Sequence, residues 1–142
     1  MPLTEAQITE MQTSDYDEMY ELWRSTPGIC ISSADTRENI EKFLDRNKGL
    51  SFVCRCEGKL VGTVLCGHDG RRGYMYHVAV APEFRGNGIG KRLVARSLEQ
   101  LKAEGIGRCH LFVIAENTLG SSFWASIGWQ KRDDIIVFSK DV

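Results

Sequence analysis

"HVAVAPEFRGNGIGKRLVARSLEQL", residues 77–101, passes from an alternating apolar run through a proline into a loop with glycines at 86, 88 and 90, then into a helical pattern. The run that ends at Pro82 reads as a strand, because proline has no N–H to give a ladder beyond that point. Past the loop, Ile89, Leu93, Val94, Leu98 and Leu101 recur at a helical period and predict one inward-facing stripe, closed by Gly105. A strand that delivers the chain through glycines to a helix mouth creates a place for an anion. The first turn of a helix carries unpaired N–H groups and about half a positive charge. Residues without side chains let a phosphate approach that backbone closely, and Arg85 and Lys91 add full charges. The competing explanation is a tight turn that needs glycine only for its dihedrals.

Spacing separates the known glycine loops. A dinucleotide fingerprint, G-x-G-x-x-G, would need glycine where Lys91 stands. A Walker A loop, G-x-x-x-x-G-K-[ST], fails twice, at Arg85 and at Arg92. What remains is R-x-x-G-x-G at Arg85, Gly88 and Gly90, opening a helix directly after a strand.

Working outward, "SDYDEMYELWRS" begins with a cap-like serine and places Tyr16, Met19, Tyr20 and Trp23 on one helical face. "ADTRENIEKFLDRNKG" predicts a second helix, with Asp35 and Glu38 as a capping-box variant. "LSFVCRC" and "KLVGTVLCGH", joined at Glu57-Gly58, read as a β-hairpin. "YMYHVAVAP" is a third strand, "CHLFVI" a fourth, "TLGSSFWASIG" a short helix and "DIIVFS" a last strand. Strands that outnumber helices early and alternate with them later define an α/β (α+β) fold around one mixed sheet. The 142 residues, without internal repeat or linker, are the size of one domain, residues 1–142.

A formal net charge of −1 leaves no electrostatic footprint for a nucleic-acid backbone or an acidic membrane. The five cysteines have no zinc spacing, so no metal is expected, and Cys54 and Cys56 read as reduced core residues. No apolar run approaches the roughly 18 residues of a membrane span. "MPLTEAQITEMQ" lacks the apolar region of a signal peptide. A cytoplasmic location fits both.

On these residues the chain resembles the GNAT N-acetyltransferase superfamily. Residues 77–101 are similar to its acetyl-CoA-binding segment, [QR]-x-x-G-x-[GA] after a V-x-P strand. "ENTLGSSFWASIGW" is similar to its N-x-x-A-x-x-[FL]-Y-x-x-x-G-F segment, and "GHDGRRG" resembles the small stand-alone bacterial enzymes of the YpeA-like branch. The likeness covers nearly the whole chain, most tightly residues 60–130. It implies a mixed, mostly antiparallel sheet of about six or seven strands with about four helices. It also implies acetyl-CoA as cosubstrate, an amine acceptor and, since many members dimerise, leaves a homodimer open. The cofactor pyrophosphate would lie against Arg85, Gly86, Asn87, Gly88, Ile89, Gly90 and Lys91. The pantetheine arm would pair with Val78, Ala79 and Val80. Asn117 matches the family asparagine on that arm, although it serves equally well as a helix N-cap. The family tyrosine that protonates the leaving thiolate falls at Trp124, whose indole cannot do acid chemistry, and the usual alanine is Gly120. The glutamate of the branch that acetylates ribosomal proteins is replaced by Phe112.

Transfer of acetyl from sulfur to nitrogen needs a neutral amine. An alkylamine with a pKa near 10.4 is neutral only about one part in 2,500 at pH 7, so some group must accept a proton. A histidine needs little tuning for that. His77, one residue before the cofactor-pairing stretch, is the candidate base, against an ordinary structural role for a strand histidine. Strict alternation sets Tyr74 and Tyr76 on the opposite face from His77. Trp23, Ile31, His68, Asp69 and Tyr76 are the candidate acceptor-side residues, with Trp23 and Ile31 in or beside the "TPGICIS" loop. The reading is an N-acetyltransferase acting on a primary amine of a small molecule or peptide. The alternatives are a non-catalytic acyl-CoA-binding or sensor domain and a nucleotide- or phosphate-binding module.

Overall fold

In the computed structural model, which describes residues 6–142, the glycine loop does join a strand to a helix. Two compact units are present, one ending at Phe112 and one spanning Val113–Val142.

The first unit is a five-stranded sheet in the order β1 (Ala6–Glu10), β2 (Phe52–Cys56), β3 (Lys59–His68), β4 (Gly73–Val80), β5 (Cys109–Leu111). The first three pairings are antiparallel, and β4 with β5 is parallel. That parallel pair requires a crossover, supplied by helix α3 (Ile89–Ala103). α3 lies on the face toward which Gly62 points, where a Cβ would meet Leu93 and Ile89. The other face carries α1 (Tyr16–Arg24) and α2 (Arg37–Arg46). There Thr63 meets Trp23, and Gly67 abuts Phe43 and Asn47. The core between these layers includes Met19, Trp23, Leu50, Val61, Val64, Leu93 and Leu101, all fully or almost fully buried.

Three details differ from the sequence expectation. Leu98 is more than a third exposed, and Ser97 takes its place in the stripe, fully buried and donating to the Leu50 carbonyl at 2.6 Å. A serine can occupy the core because the hydrogen bond satisfies its hydroxyl. The caps of α1 and α2 fall one residue later than Ser14 and Asp35, at Asp15 and Thr36. Asp15 accepts from the Gln12 N–H at a 3-10 turn before α1, and Thr36 caps α2 by accepting from the Asn39 N–H at 3.2 Å. Finally β1, a mostly polar edge strand, carries little hydrophobic alternation and is not legible as a strand.

The second unit holds α4 (Thr118–Ser126). Residues 134–139, expected as a strand, have no ladder among the described residues, and Ile135, Ile136, Val137 and Phe138 are exposed. β-propensity is largely the fit of side chains to a half-buried pleated surface, so a strand-like apolar run without a paired edge does not become a strand. The fourth expected strand is likewise shorter, ending at Leu111. Among the described residues the sheet therefore has five strands, accompanied by four α-helices, and the mixed α/β architecture stands as expected.

Candidate active site

Gly86 and Gly88 adopt φ of 79° and 78°, which side-chain-bearing residues rarely hold, and a Cβ on either would meet nothing within 4 Å. Both the turn geometry and an open outer side are therefore present. Gly88 is the N-cap of α3, and the first helical bond runs from the Arg92 N–H to the Gly88 carbonyl. Among the described residues the N–H groups from Gly86 to Lys91 find no acceptor. These consecutive donors sit at the positive end of a 15-residue helix, an arrangement suited to an anion. Two loop side chains brace it: Arg85 Nε donates to the Val80 carbonyl at 3.0 Å, and Asn87 Nδ2 to the Phe84 carbonyl at 3.1 Å.

The strand entering the loop is open as well. β5 pairs with β4 only from Gly73 to Met75, so among the described residues the edge of β4 from Tyr76 to Val80 has no strand partner on that side. Opposite β3, Thr63 pairs with Ala79 but Leu65 pairs with Tyr76, leaving one extra residue on β4. His77 takes the strain of this bulge with φ 49°. A bulge re-aims side chains, and here it turns His77 onto the α1/α2 face that Tyr76 also occupies, where alternation would have opposed them. The His77 ring packs on Trp23 with centroids 4.6 Å apart, and Tyr76 meets Phe43 edge-on at 6.2 Å. His77 Nε2 lies 2.8 Å from Asp35 Oδ1.

Trp23 is fully buried, so it meets the site through His77, and Ile31 is half-buried in the loop between α1 and α2. Tyr76 is 39% exposed, and its phenol is pushed up by partial desolvation and by neighbouring Tyr74. His68 and Asp69 are not brought together with His77. His68 pairs with Glu104, just past the C-terminal end of α3, at 2.9 Å. The anion-ready mouth is at the other end of that helix, about 22 Å away along its axis. Asp69 accepts from the Arg71 and Arg72 N–H groups in a turn, and these bonds hold its carboxyl below the usual range. In the second unit Asn117 caps α4, accepting from the Gly120 N–H at 2.9 Å, and Trp124 packs between Phe123 and Trp129. Among the described residues no group of His, Cys, Asp or Glu is placed to hold a metal, and no helix is long and apolar enough to cross a membrane. Sequence reasoning gave Asp35 only a capping role; its pairing with His77 depends on the bulge, which leaves no mark in residue spacing.

Unpaired amides at the mouth of α3 suit an anion, and the open edge of β4 suits an extended, amide-bearing chain. Residues 16–129 match the acetyltransferase (GNAT) family, and the chain belongs to it. It is 32% identical over 139 residues to an acetyltransferase, plu1384, of Photorhabdus laumondii, covering 94% of each chain. It is 28% identical over 134 residues to acetyltransferase SG1711 of Sodalis glossinidius, again covering 94% of each. Among solved structures, the fold is similar to the PaiA N-acetyltransferase of Thermoplasma acidophilum in complex with coenzyme A. That likeness has a TM-score of 0.79 at 20% identity, over 90% of this chain and 91% of the other. It is also similar to the aminoglycoside acetyltransferase meta-AAC0020 from an uncultured soil metagenomic sample, in complex with sisomicin. There the TM-score is 0.77 at 18% identity, over 98% and 97% of the two chains. The protein is an acetyl-CoA-dependent acyltransferase.

Proposed function

We propose that the protein is a cytoplasmic N-acetyltransferase that moves acetyl to a primary amine of a small molecule or peptide by direct attack in a ternary complex, with His77 as the base. Bound acetyl-CoA supplies an activated thioester. The amides from Gly86 to Lys91 hold its pyrophosphate, Lys91 adds charge, and the open edge of β4 at Val78–Val80 aligns the pantetheine arm. A main-chain N–H on that edge donates to the carbonyl oxygen as charge develops there; such a donor is worth about 2.7–4 kcal/mol in other enzymes. His77 takes a proton from the amine, directly or through one water. No side chain is needed to protonate the departing thiolate, since a thiol with a pKa of about 8.5 leaves without a dedicated acid. Tyr76 and Ile31 border the acceptor.

The observation that carries this reading is a strained histidine on the strand whose free edge leads directly into the amide-lined loop. The test is thiol release from acetyl-CoA with an amine panel: an alkyl diamine, lysine, a peptide with a free N-terminus and an aminoglycoside. At least one should be turned over, and His77→Ala should lower kcat at least tenfold with coenzyme A affinity nearly unchanged. Coenzyme A binding without turnover of any amine would return the chain to an acyl-CoA sensor. An unaltered rate in His77→Ala removes His77 from the mechanism.

A further inference from the structure

The structure assigns to Asp35 the role of positioning residue for His77: its carboxylate accepts a hydrogen bond from Nε2–H and thereby leaves the Nδ1 lone pair for the acceptor amine. This rests on the reading of His77 as the base. Asp35 is buried, with 7% of its side chain exposed, and both its oxygens are engaged. Oδ1 meets His77 Nε2 at 2.8 Å, and Oδ2 accepts from the Ser32 N–H at 3.0 Å. An ionised carboxylate can only accept, so the imidazole nitrogen facing it carries the hydrogen, and in the neutral ring the other nitrogen is then the acceptor. That nitrogen, Nδ1, has no hydrogen-bond partner among the described residues, yet it is not among buried polar atoms left unsatisfied, so it reaches solvent.

The rest of the neighbourhood holds the ring still. Trp23 Nε1 donates to Thr63 Oγ1 at 2.9 Å, and Thr63 Oγ1 donates to the His77 carbonyl at 2.8 Å. This chain anchors the bulge backbone while the Trp23 ring packs on the imidazole. Tyr16 donates to the Asp35 carbonyl at 2.6 Å, so it steadies the loop without touching the carboxylate. Arg37 lies over the Tyr16 ring and is paired with Asp17 at 2.8 Å. Asp35 is thus the charged group in hydrogen-bond contact with the imidazole, with Tyr16 and Arg37 behind it. In the transfer step the amine N–H bond breaks toward Nδ1, the Nε2–H bond stays with the ring, and the resulting imidazolium lies beside the carboxylate. A fixed tautomer with a stabilised cation is what a carboxylate contributes to a histidine base.

The test combines rate, pH profile and ring NMR on the full chain, using a panel amine that gives thiol release. Asp35→Asn should lower kcat at least tenfold and leave KM for acetyl-CoA within twofold. It should also move the acid limb of kcat/KM to lower pH, because removing a neighbouring negative charge disfavours the imidazolium. Glu21→Gln, which removes an exposed carboxylate of α1 that pairs with Arg24 and leaves the Asp35–His77 pair intact, should keep rate and limb. Ring 15N shifts of the wild-type protein should report hydrogen on Nε2, a readout that survives if Asp35→Asn does not fold. An Nδ1–H tautomer overturns the inference, as does a rate loss in Glu21→Gln equal to that in Asp35→Asn. A slow His77→Ala beside an unmoved limb in Asp35→Asn overturns the role of Asp35 alone. A His77→Ala variant at full rate overturns the base reading with it.

Discussion

A methyl group at position 88 separates the two demands that the loop places on glycine. The φ of 78° is unfavourable for any residue with a Cβ, while the space around that Cβ is open. Gly88→Ala should therefore cost about 1 kcal/mol, from the dihedral alone. Gly107 also has open space around it but no positive φ, so Gly107→Ala should be neutral or mildly stabilising through the reduced entropy of the unfolded chain. The pair of variants should diverge in thermal melts. The functional difference should be larger, because the new methyl at 88 projects into the space beside six unpaired amides. Coenzyme A should bind Gly88→Ala roughly five-fold more weakly or worse, and Gly107→Ala like the parent, by calorimetry. Equal affinities for all three would mean that the loop glycines serve the turn only. His77 presents the same logic from the other side: a residue that tolerates φ 49° poorly occupies the bulge, and such strain, where it persists, tends to mark sites of function.

At the scale of elements, Arg55 ties β2 to the start of α1. Its guanidinium meets Asp15 at 2.7 Å and Glu18 at 2.8 Å, with Asp15 nearly buried and Glu18 half exposed. Arg55→Met should destabilise by about 1–3 kcal/mol, chiefly by leaving the Asp15 carboxylate without its partner, and a melt should show it. The hydrogen bond from Arg55 holds the Glu18 carboxyl below its ordinary range. A carboxyl with a lowered folded pKa stabilises the protein above its unfolded value and loses that contribution as pH falls through the folded one. Melting temperature should therefore drop below about pH 4.3 more steeply in the parent than in Glu18→Gln. With Glu18 so exposed the difference is under about 1 kcal/mol, and identical acid limbs would remove Glu18 from the account. Elements built on strong periodicity were legible beforehand: α3 through Ile89, Leu93, Val94 and Leu101, and the hairpin through the Glu57-Gly58 turn. β1 was not, because an edge strand with polar neighbours has nothing to alternate. The run 134–139 was read as a strand because its residues suit one, but a ladder needs a partner that propensity cannot supply.

For the whole molecule, the amide-lined loop was legible because three glycines between a strand and a helix have few explanations, whereas the Asp35–His77 pair joins residues 42 positions apart through a bulge that no local pattern announces. The loop also sets how the protein should respond to its cosubstrate. In the proposed complex phosphate oxygens take the place of solvent on the unpaired amides at the helix mouth, so coenzyme A should bind the native state and not the unfolded chain. Ligand at 100 times its Kd adds about 2.7 kcal/mol, and for a chain of this length 1 kcal/mol moves Tm by roughly 3 °C. Saturating coenzyme A should thus raise Tm by about 8 °C. Inorganic pyrophosphate offers the anion without the arm that pairs with β4, so its shift should be smaller and should shrink as salt screens the exposed loop. Pantetheine offers the arm without the anion and should shift Tm least at equal concentration. A pantetheine shift equal to that of coenzyme A would move the main grip from the mouth of α3 to the edge of β4.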